Sequence, residues 1–283
     1  MPVAVVTDST SDLPKELIEQ YGITIVPLFV HFGNEAYRDG VDITPDQFYA
    51  RLQSGKVFPT TSAPSAGAFV DVYRELGKTH DGIISIHLSS RVSATYSAAL
   101  LGAEGVKADG IKVEAVDTLQ ASAALGLIAI EVSKAAQKGK SLAELVELAR
   151  SLSSRAIFTG LVETLEYLHK GGRIGKAQAL LGSLLKVKPI LQMVDGEAAA
   201  VDRARTRSRG IKRIKRLVAD AAPLQSMAIL HSTDPELAQE IAIDLAPYAP
   251  GGKPVIARMG AIVGAYLGPG MLGFGLIRAK QTR

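Results

Sequence analysis

Val3-Ala4-Val5-Val6-Thr7-Asp8-Ser9-Thr10-Ser11-Asp12-Leu13-Pro14 passes from four apolar residues to six polar ones and then to a proline that opens a helical pattern. A short unbroken apolar run bounded by turn residues reads as a strand buried on both faces. Ser, Thr and Asp are the preferred residues at helix starts, because their side-chain oxygens accept from otherwise unpaired N–H groups. The same handover recurs at Pro59-Thr60-Thr61-Ser62-Ala63-Pro64-Ser65 and at Ser89-Ser90-Arg91-Val92-Ser93-Ala94-Thr95-Tyr96-Ser97. Helix starts carry a partial positive charge and are ready anion sites. Several such turns at the carboxyl edge of one sheet form a crevice of neutral donors. That lining suits a small anionic head group better than proton chemistry.

Outward from these loops, strand and helix patterns alternate. Residues 14–21 read as a helix, 23–30 as a strand, and 45–53 as a helix with Thr44 at its cap; a helix at 66–76 follows the second loop. Residues 83–87 form a strand, 93–101 a helix and 111–116 a strand stopped at Asp117-Thr118; helices follow at 121–136 and 142–152. This alternation predicts a parallel sheet covered on both faces. Ligands bind such sheets beyond the carboxyl ends of the strands, where Asp8-Ser9, Ser89-Ser90 and Asp117-Thr118 fall. Past about residue 157 the texture changes. Strand-like runs at 188–194 and 198–204 meet at Asp195-Gly196, a hairpin signal. A helix (211–221), a strand (227–231), a helix (235–245), a strand (254–257) and a glycine-punctuated end complete the pattern. The expected fold is α/β in two domains. Residues 1–156 make a parallel-sheet domain with the hydroxyl-rich loops, and residues 157–283 a mixed α/β domain with a Gly-rich C-terminal segment.

Composition narrows the function classes. The 283 residues are 47% hydrophobic and 21% charged, the balance of a soluble globular protein. There is no Cys, so disulfide, thiolate and Cys-based metal chemistry are excluded, and no spacing of other ligands suggests a metal. Neither a leader-like segment nor an uninterrupted apolar span is evident, which leads to the expectation of a cytoplasmic protein. The net charge is only +4, yet Arg203, Arg205, Arg207, Arg209, Lys212, Arg213, Lys215 and Arg216 crowd one stretch. That stretch is either a solvated helix face or a surface for an acidic or phosphate-bearing partner. Without interleaved aromatic residues it does not suggest nucleic acid. No Gly-x-x-x-x-Gly-Lys-Ser/Thr run and no Gly-x-Gly-x-x-Gly after a strand is present, so nucleotide binding by this chain is not expected. His31, His80, His87, His169 and His231 are scattered. A serine hydrolase acting on a lipid ester through Ser93, with His87 nearby, is the alternative; Ser93 lacks the Gly-x-Ser-x-Gly elbow.

Six motifs in order extend the picture. They are Thr7 to Leu13; Thr61-Ser62-Ala63-Pro64-Ser65; Ser93 to Ala98; Leu165-Glu166-Tyr167-Leu168-His169-Lys170-Gly171-Gly172-Arg173-Ile174; Lys188-Pro189-Ile190-Leu191; and Gly268-Pro269-Gly270. Together they resemble the DegV family of bacterial fatty-acid-binding proteins, across essentially the whole chain. The resemblance implies two α/β domains with a long-chain fatty acid between them, its carboxylate held by hydroxyl side chains. It implies a lipid-binding substrate module rather than an enzyme, with no catalytic residue of its own, no metal and no cofactor beyond the bound lipid. The lipid would be presented to a separate kinase subunit with an ATP-binding domain, which makes acyl phosphate for phospholipid synthesis, with an acyltransferase as a further partner. Transient membrane contact is compatible with that role.

By the same resemblance Thr61 and Ser93 are the carboxylate contacts, assisted by Ser62, with Ser9, Thr10, Tyr266 and Gly268 as secondary pocket residues. Arg173, in the Gly-Gly-Arg-Ile motif, belongs to the partner-docking or phosphate-facing surface together with Arg205, Arg207 and Arg209. Tyr266 stands where the family usually has His, Ala63 where Gln is common, and Ala94 where Gly is common. A phenol, with a reference pKa of about 10, donates a hydrogen bond but does not carry protons at neutral pH. Burying roughly fifteen methylenes at about 0.8 kcal/mol each gives on the order of 12 kcal/mol before entropic costs, so the tail supplies affinity and the head group orientation.

Overall fold

The computed structural model describes residues 2–179 and 187–280. In the first half the chain runs β1 (Val3–Asp8), α1 (Lys15–Tyr21), β2 (Ile23–Val26), β3 (Phe29–Phe32), β4 (Glu35–Arg38), α2 (Pro45–Gln53) and β5 (Thr60–Ser62). It continues through α3 (Ala66–Gly77), β6 (Gly82–His87), α4 (Thr95–Gly105), β7 (Val113–Asp117), α5 (Ser122–Gln137) and α6 (Leu142–Ser153). The second half holds β8 (Ala156–Leu161), α7 (Glu166–Lys170), β9 (Lys188–Val194), β10 (Glu197–Ala204) and α8 (Arg207–Ala221). It ends with β11 (Leu224–His231), α9 (Pro235–Leu245), β12 (Val255–Arg258), α10 (Ala261–Leu267) and β13 (Leu272–Arg278).

Among the described residues the strands form three sheets. The first is parallel, in the order β2-β1-β6-β7. Its strands alternate their allegiance. Ala4, Val6 and Ile83 pack with Phe69 and Tyr73 of α3 and Ala99 of α4, whereas Val5, Ile84 and Ile86 pack with Leu125 and Ile128 of α5. That two-faced burial is why β1 and β6 read as unbroken apolar runs. The second sheet is mixed, in the order β10-β9-β8-β13-β11-β12, with only the β11–β12 pair parallel. Its hairpin turns at Asp195-Gly196, as the sequence predicts. A third, antiparallel sheet, β4-β3-β5, was not anticipated.

The expected single strand at 23–30 is two strands. Pro27 has no N–H to give a ladder, so pairing with β1 stops at Val26. Leu28 then turns, its N–H donating to Ser9 Oγ (3.1 Å) and its carbonyl accepting from Asp39 N (2.9 Å). The chain resumes as β3, which pairs with β5 and sets Val30 opposite Thr61. The break therefore places the second hydroxyl loop. Thr61 lies in a strand, and the cap of α3 is Ser65, which accepts from Ala68 N (3.2 Å).

Helix α5 lies between the two large sheets and is buried almost from end to end. Apart from the Glu131–Lys134 pair near its C-terminal end, residues 121–136 carry no polar side chain larger than Ser, as a helix without a solvated stripe requires. Two glycines let it approach closely. A Cβ on Gly275 of β13 would stand 2.6 Å from the carbonyl carbon of Ala123 and 2.7 Å from the nitrogen of Ala124. A Cβ on Gly126 of the helix would stand 2.6 Å from the carbonyl oxygen of Ser11. Backbone cannot yield as a side chain does. Gly275→Ala is expected to destabilise the fold by about 1–3 kcal/mol, read as a lowered urea midpoint; an unchanged midpoint would mean that α5 is not held this closely.

Candidate functional site

A cavity of about 170 Å³ opens where the carboxyl end of the parallel sheet faces the mixed sheet. The segments after β6 and β7 contribute Leu88, Val92, Ser93, Ala94 and Ala121; the small sheet and its approach contribute Leu28, Thr61, Ser62 and Ala63. The mixed sheet adds Phe158, Leu191, Met193 and Ala198, and α10 adds Ile262, Val263, Tyr266 and Leu267. Most of this lining is apolar, and much of it belongs to the central core that α5 organises. The polar side chains are linked to one another. Thr61 Oγ1 meets Tyr266 Oη at 2.5 Å, and the Arg173 guanidinium lies over the Tyr266 ring, 5.4 Å from its centroid. Arg173 Nε in turn donates to the carbonyl of Val92, beside Ser93, at 3.4 Å. Because Arg173 and Ser62 are exposed while Phe158 and Leu191 are buried, this polar group forms the mouth.

Counting protons shows what the mouth can offer. Thr95 is fully buried; its hydroxyl pairs with Ser93 Oγ at 2.9 Å, and its N–H also donates to Ser93 Oγ at 3.3 Å. Either hydroxyl of this pair can donate; because Thr95 is buried and Ser93 is only half-buried, donation by Thr95 leaves no buried proton unpaired and frees the Ser93 O–H. In the Thr61–Tyr266 pair one proton lies between the two oxygens, whichever donates, and the other O–H is free. At the head of α4, Ala94 makes no side-chain cap, and the first-turn N–H that a side chain does take is that of Thr95, by Ser93. The mouth thus presents two uncharged hydroxyl donors and one exposed guanidinium.

The other sequence candidates divide. Ser62 lines the cavity, but its hydroxyl bonds His31 Nε2 across the small sheet (2.9 Å). Thr10 lines it too, yet its O–H donates to Asp8 Oδ1 at 2.5 Å, leaving only lone pairs for a ligand. Ser9 is not in the lining; its oxygen accepts from Leu28 N. Gly268 is also outside. It ends α10 at φ 74°, where any side chain would strike the ring of Tyr167. Ser9 and Gly268, expected as secondary pocket residues, thus stand outside the cavity lining. Arg173 stands at the mouth itself rather than on a remote face. Arg205 and Arg209 line a separate concavity of about 430 Å³ with Arg203 and Arg213. Arg207 is absent from that concavity, because it binds Glu163 and the Gly270 carbonyl (both 2.5 Å) and Asp234 (3.5 Å).

The hydrolase geometry is missing. His87 is fully buried, with Nδ1 on Asp8 Oδ2 (2.9 Å) and Nε2 on Ser85 Oγ (2.7 Å), while Tyr73 Oη donates to Ser85 at 2.8 Å. The order Asp, His, Ser matches a hydrolytic triad in connectivity, but every member is sealed in the core and Ser93 is not among them. Asp8 takes two further bonds, from Thr10 N and Leu88 N (both 3.1 Å). This network holds the carboxyl ends of β1 and β6 together.

Two buried carboxyl groups near the cavity wall were not singled out in the sequence. Asp12 Oδ1 accepts from Gly260 N (2.8 Å) and Oδ2 from Ser122 Oγ; Asp39 Oδ1 accepts from Ala261 N (3.0 Å). Burial pushes Asp12 up to about 8, against the pull of its Ser122 and Gly260 hydrogen bonds and with a push from the nearby Asp39 and Asp8. Asp39 is pushed up to about 6, again chiefly by burial. The signal for Asp39 was the Asp-Gly pair before α2, which reads as an ordinary turn.

Because Ser93 has no imidazole partner, a Ser93→Ala chain is expected to match the parent in any turnover of a nitrophenyl ester. His87→Leu, by contrast, leaves Asp8 and Ser85 short of partners and lowers stability by about 3 kcal/mol. Ester turnover that disappears with Ser93 would restore the hydrolase reading.

Similarity to known proteins adds to this geometry. A family model described as "Uncharacterised protein, DegV family" matches residues 2–279. Protein DegV of Bacillus subtilis is 38% identical over 282 residues, covering 96% of this chain and 98% of that protein. A DegV domain-containing protein of Streptomyces coelicolor is 38% identical over 276 residues, covering 96% of each. Among solved structures, a DegV family protein from Thermus thermophilus, reported for its fatty acid binding, superposes with a TM-score of 0.89 at 34% identity, over 98% of this chain and 99% of that one. DegV from Bacillus subtilis, described as a fatty acid binding protein, superposes at 0.88 and 35% identity with the same coverage. A stearic-acid-binding protein from Eubacterium ventriosum gives 0.84 at 27% identity, over 98% of each chain. With a family match over nearly its full length and relatives above 30% identity, the chain belongs to the DegV family.

Proposed function

We propose that this chain binds a long-chain fatty acid in the cavity, with the tail among the core residues and the carboxylate at the mouth against the free hydroxyls of Ser93 and the Thr61–Tyr266 pair. The observation that carries the proposal is the cavity's division into an apolar body and a mouth with uncharged donors. Solved relatives described as fatty acid binding proteins support it. In this reading residues 1–156 and 157–283 act as two domains, each supplying part of the wall.

The chain presents the lipid to a separate ATP-dependent kinase subunit, and the acyl phosphate goes on to an acyltransferase of phospholipid synthesis. In the transfer a carboxylate oxygen attacks the terminal phosphorus of ATP and the bond to the ADP oxygen breaks. A carboxylic acid of ordinary pKa is already ionised at neutral pH, so the nucleophile needs no base from this chain. Tyr266 therefore serves in place of a histidine as a hydrogen-bond donor. Two neutral donors hold the carboxylate without the strong ion pair that would damp its nucleophilicity. Arg173, exposed beside them, faces the incoming phosphate. Arg205 and Arg209 form the docking surface; Arg207, tied to Glu163 and Asp234, supports it from beneath.

Organic extraction and mass spectrometry of the purified chain are expected to recover about one fatty acid per chain. Each lost hydrogen bond to a charged group weakens binding by about 1.5–3 kcal/mol, so Thr61→Ala combined with Ser93→Ala empties the cavity while the chain stays folded. Full occupancy in that double variant would refute the head-group assignment. Reversing Arg205 and Arg209 to Glu is expected to weaken acyl phosphate formation with the kinase at least about tenfold at unchanged lipid content, in line with lost electrostatic complementarity. Unaltered coupling would return those two arginines to a solvated face.

A further inference from the structure

Helix α10 supplies four residues of the cavity wall, among them Tyr266, and its N-terminal end is held by carboxylates from two distant parts of the chain. Asp12 follows β1 in left-handed backbone (φ 51°) and bonds Ser122, itself left-handed (φ 55°), at the start of α5. Left-handed non-glycine residues persist where the surroundings over-determine them, and here the two side chains bond each other. Asp39 follows β4 and donates its N–H to the carbonyl of Leu28, another wall residue. The two carboxyl groups converge on Gly260. A Cβ there would stand 3.1 Å from Asp12 Oδ1 and 3.2 Å from both Asp39 oxygens. A side chain there would press on both carboxyl groups at once.

We propose that Asp12 and Asp39 are positioning residues for the fatty-acid mouth, acting through α10 on the Tyr266–Thr61 contact, and that their joint ionisation loosens the mouth so that lipid retention falls as the solution becomes alkaline. This rests on the fatty-acid reading above. With one charge at the head of α10, the helix dipole and the Gly260 and Ala261 N–H groups are satisfied. A second charge places two anions on either side of Gly260 in a buried site, where like charges repel strongly. The groups facing the pair do not neutralise it. Asp8 is a further carboxylate engaged by His87; Tyr49 of α2 is a neutral phenol; and Arg258 of β12 is paired with Asp46 at 2.6 Å. Relief comes from moving the end of α10. The helix is only seven residues long, so Tyr266 near its other end moves with it.

The sign follows from the raised proton affinities of both groups. A carboxyl group whose folded pKa lies above its unfolded value stabilises the folded state fully below the unfolded value and loses that contribution as pH rises through the folded one. For Asp39 and Asp12 the loss is completed through about 6 and about 8. The pair titrates together, so the second ionisation, on the alkaline side of neutrality, is the one that opens the mouth.

The test is titration of delipidated protein with a fluorophore-bearing palmitic acid across the alkaline range. The wild-type chain is expected to lose about tenfold in affinity between about pH 7 and about pH 9, while Asp12→Asn, which keeps the shape but cannot ionise, loses less than about twofold. Ser122→Ala removes a donor that favours the ionised form and is expected to move the wild-type fall to higher pH. A fluorophore-bearing fatty alcohol is expected to show the same fall, because the pair acts on α10 and not on the ligand's charge. A flat wild-type profile overturns the proposal, as does an Asp12→Asn profile as steep as wild type, an alcohol that shows no fall, or a Ser122→Ala profile shifted the other way. If Asp12→Asn does not fold, the direction of the Ser122→Ala shift decides. Absence of probe binding at every pH would instead refute the fatty-acid reading.

Discussion

The close approach of α5 to strands on both sides organises the molecule. At Gly275 the helix backbone presses against β13, and at Gly126 the turn after β1 presses against the helix. A helix without a solvated stripe has to be covered all round, and here two sheets of different construction provide the cover. Val5 and Ile84 of the parallel sheet, Leu125 and Ile128 of the helix, and Phe158 and Leu230 of the mixed sheet consequently belong to one continuous core. The cavity opens where this core parts, beyond the carboxyl ends of β1 and β6. Its position follows from the wedge.

Buried hydrogen bonds then fix how the wall segments meet. Asp8, with His87 and Ser85, ties the ends of β1 and β6; Asp12 ties the turn after β1 to α5 and α10; Ser89 Oγ donates to the Gly196 carbonyl at 2.7 Å, joining the loop before α4 to the hairpin tip of the mixed sheet. Gly196 has no room for a side chain there, since a Cβ would stand 2.5 Å from Ser89 Oγ. Partners far apart in sequence thus meet around one opening. Polar groups are permitted in this interior because nearly all are satisfied; among the described residues the buried side-chain atoms without a partner are Tyr49 Oη and His231 Nδ1.

Much of the architecture was legible because local chemistry and global packing agree. Thr44 and Gln47 form a reciprocal cap, Asp195-Gly196 turns the hairpin, and the apolar runs of β1 and β6 mark strands covered on both sides. The strand expected at 23–30 misled because Pro27 interrupts an otherwise continuous pattern, and the small sheet depends on pairings with β5 that no local period announces. At the site, Thr61, Ser93 and Tyr266 were named in advance, but their partners decide their chemistry. Thr10 donates to Asp8 and Ser93 pairs with Thr95 through turns of two residues whose geometry the residue types alone do not fix, and only long-range folding brings Arg207 to Glu163. Asp12 and Asp39 look like turn residues in sequence, and only folding brings them to the same glycine.

The cavity wall is assembled from the segments after β6 and β7, the small sheet, the mixed sheet and α10, and no contiguous stretch of chain contains enough of it to act alone. An unfolded chain therefore offers an occupant nothing comparable, and occupancy counts wholly toward the native side of the folding equilibrium. By mass action an occupant at a hundred times its dissociation constant adds about 2.7 kcal/mol, comparable to a well-placed core side chain. Loaded and empty copies of one sequence then differ in how often they open fully. Quality control that removes opened chains would thereby spare occupied copies over empty ones.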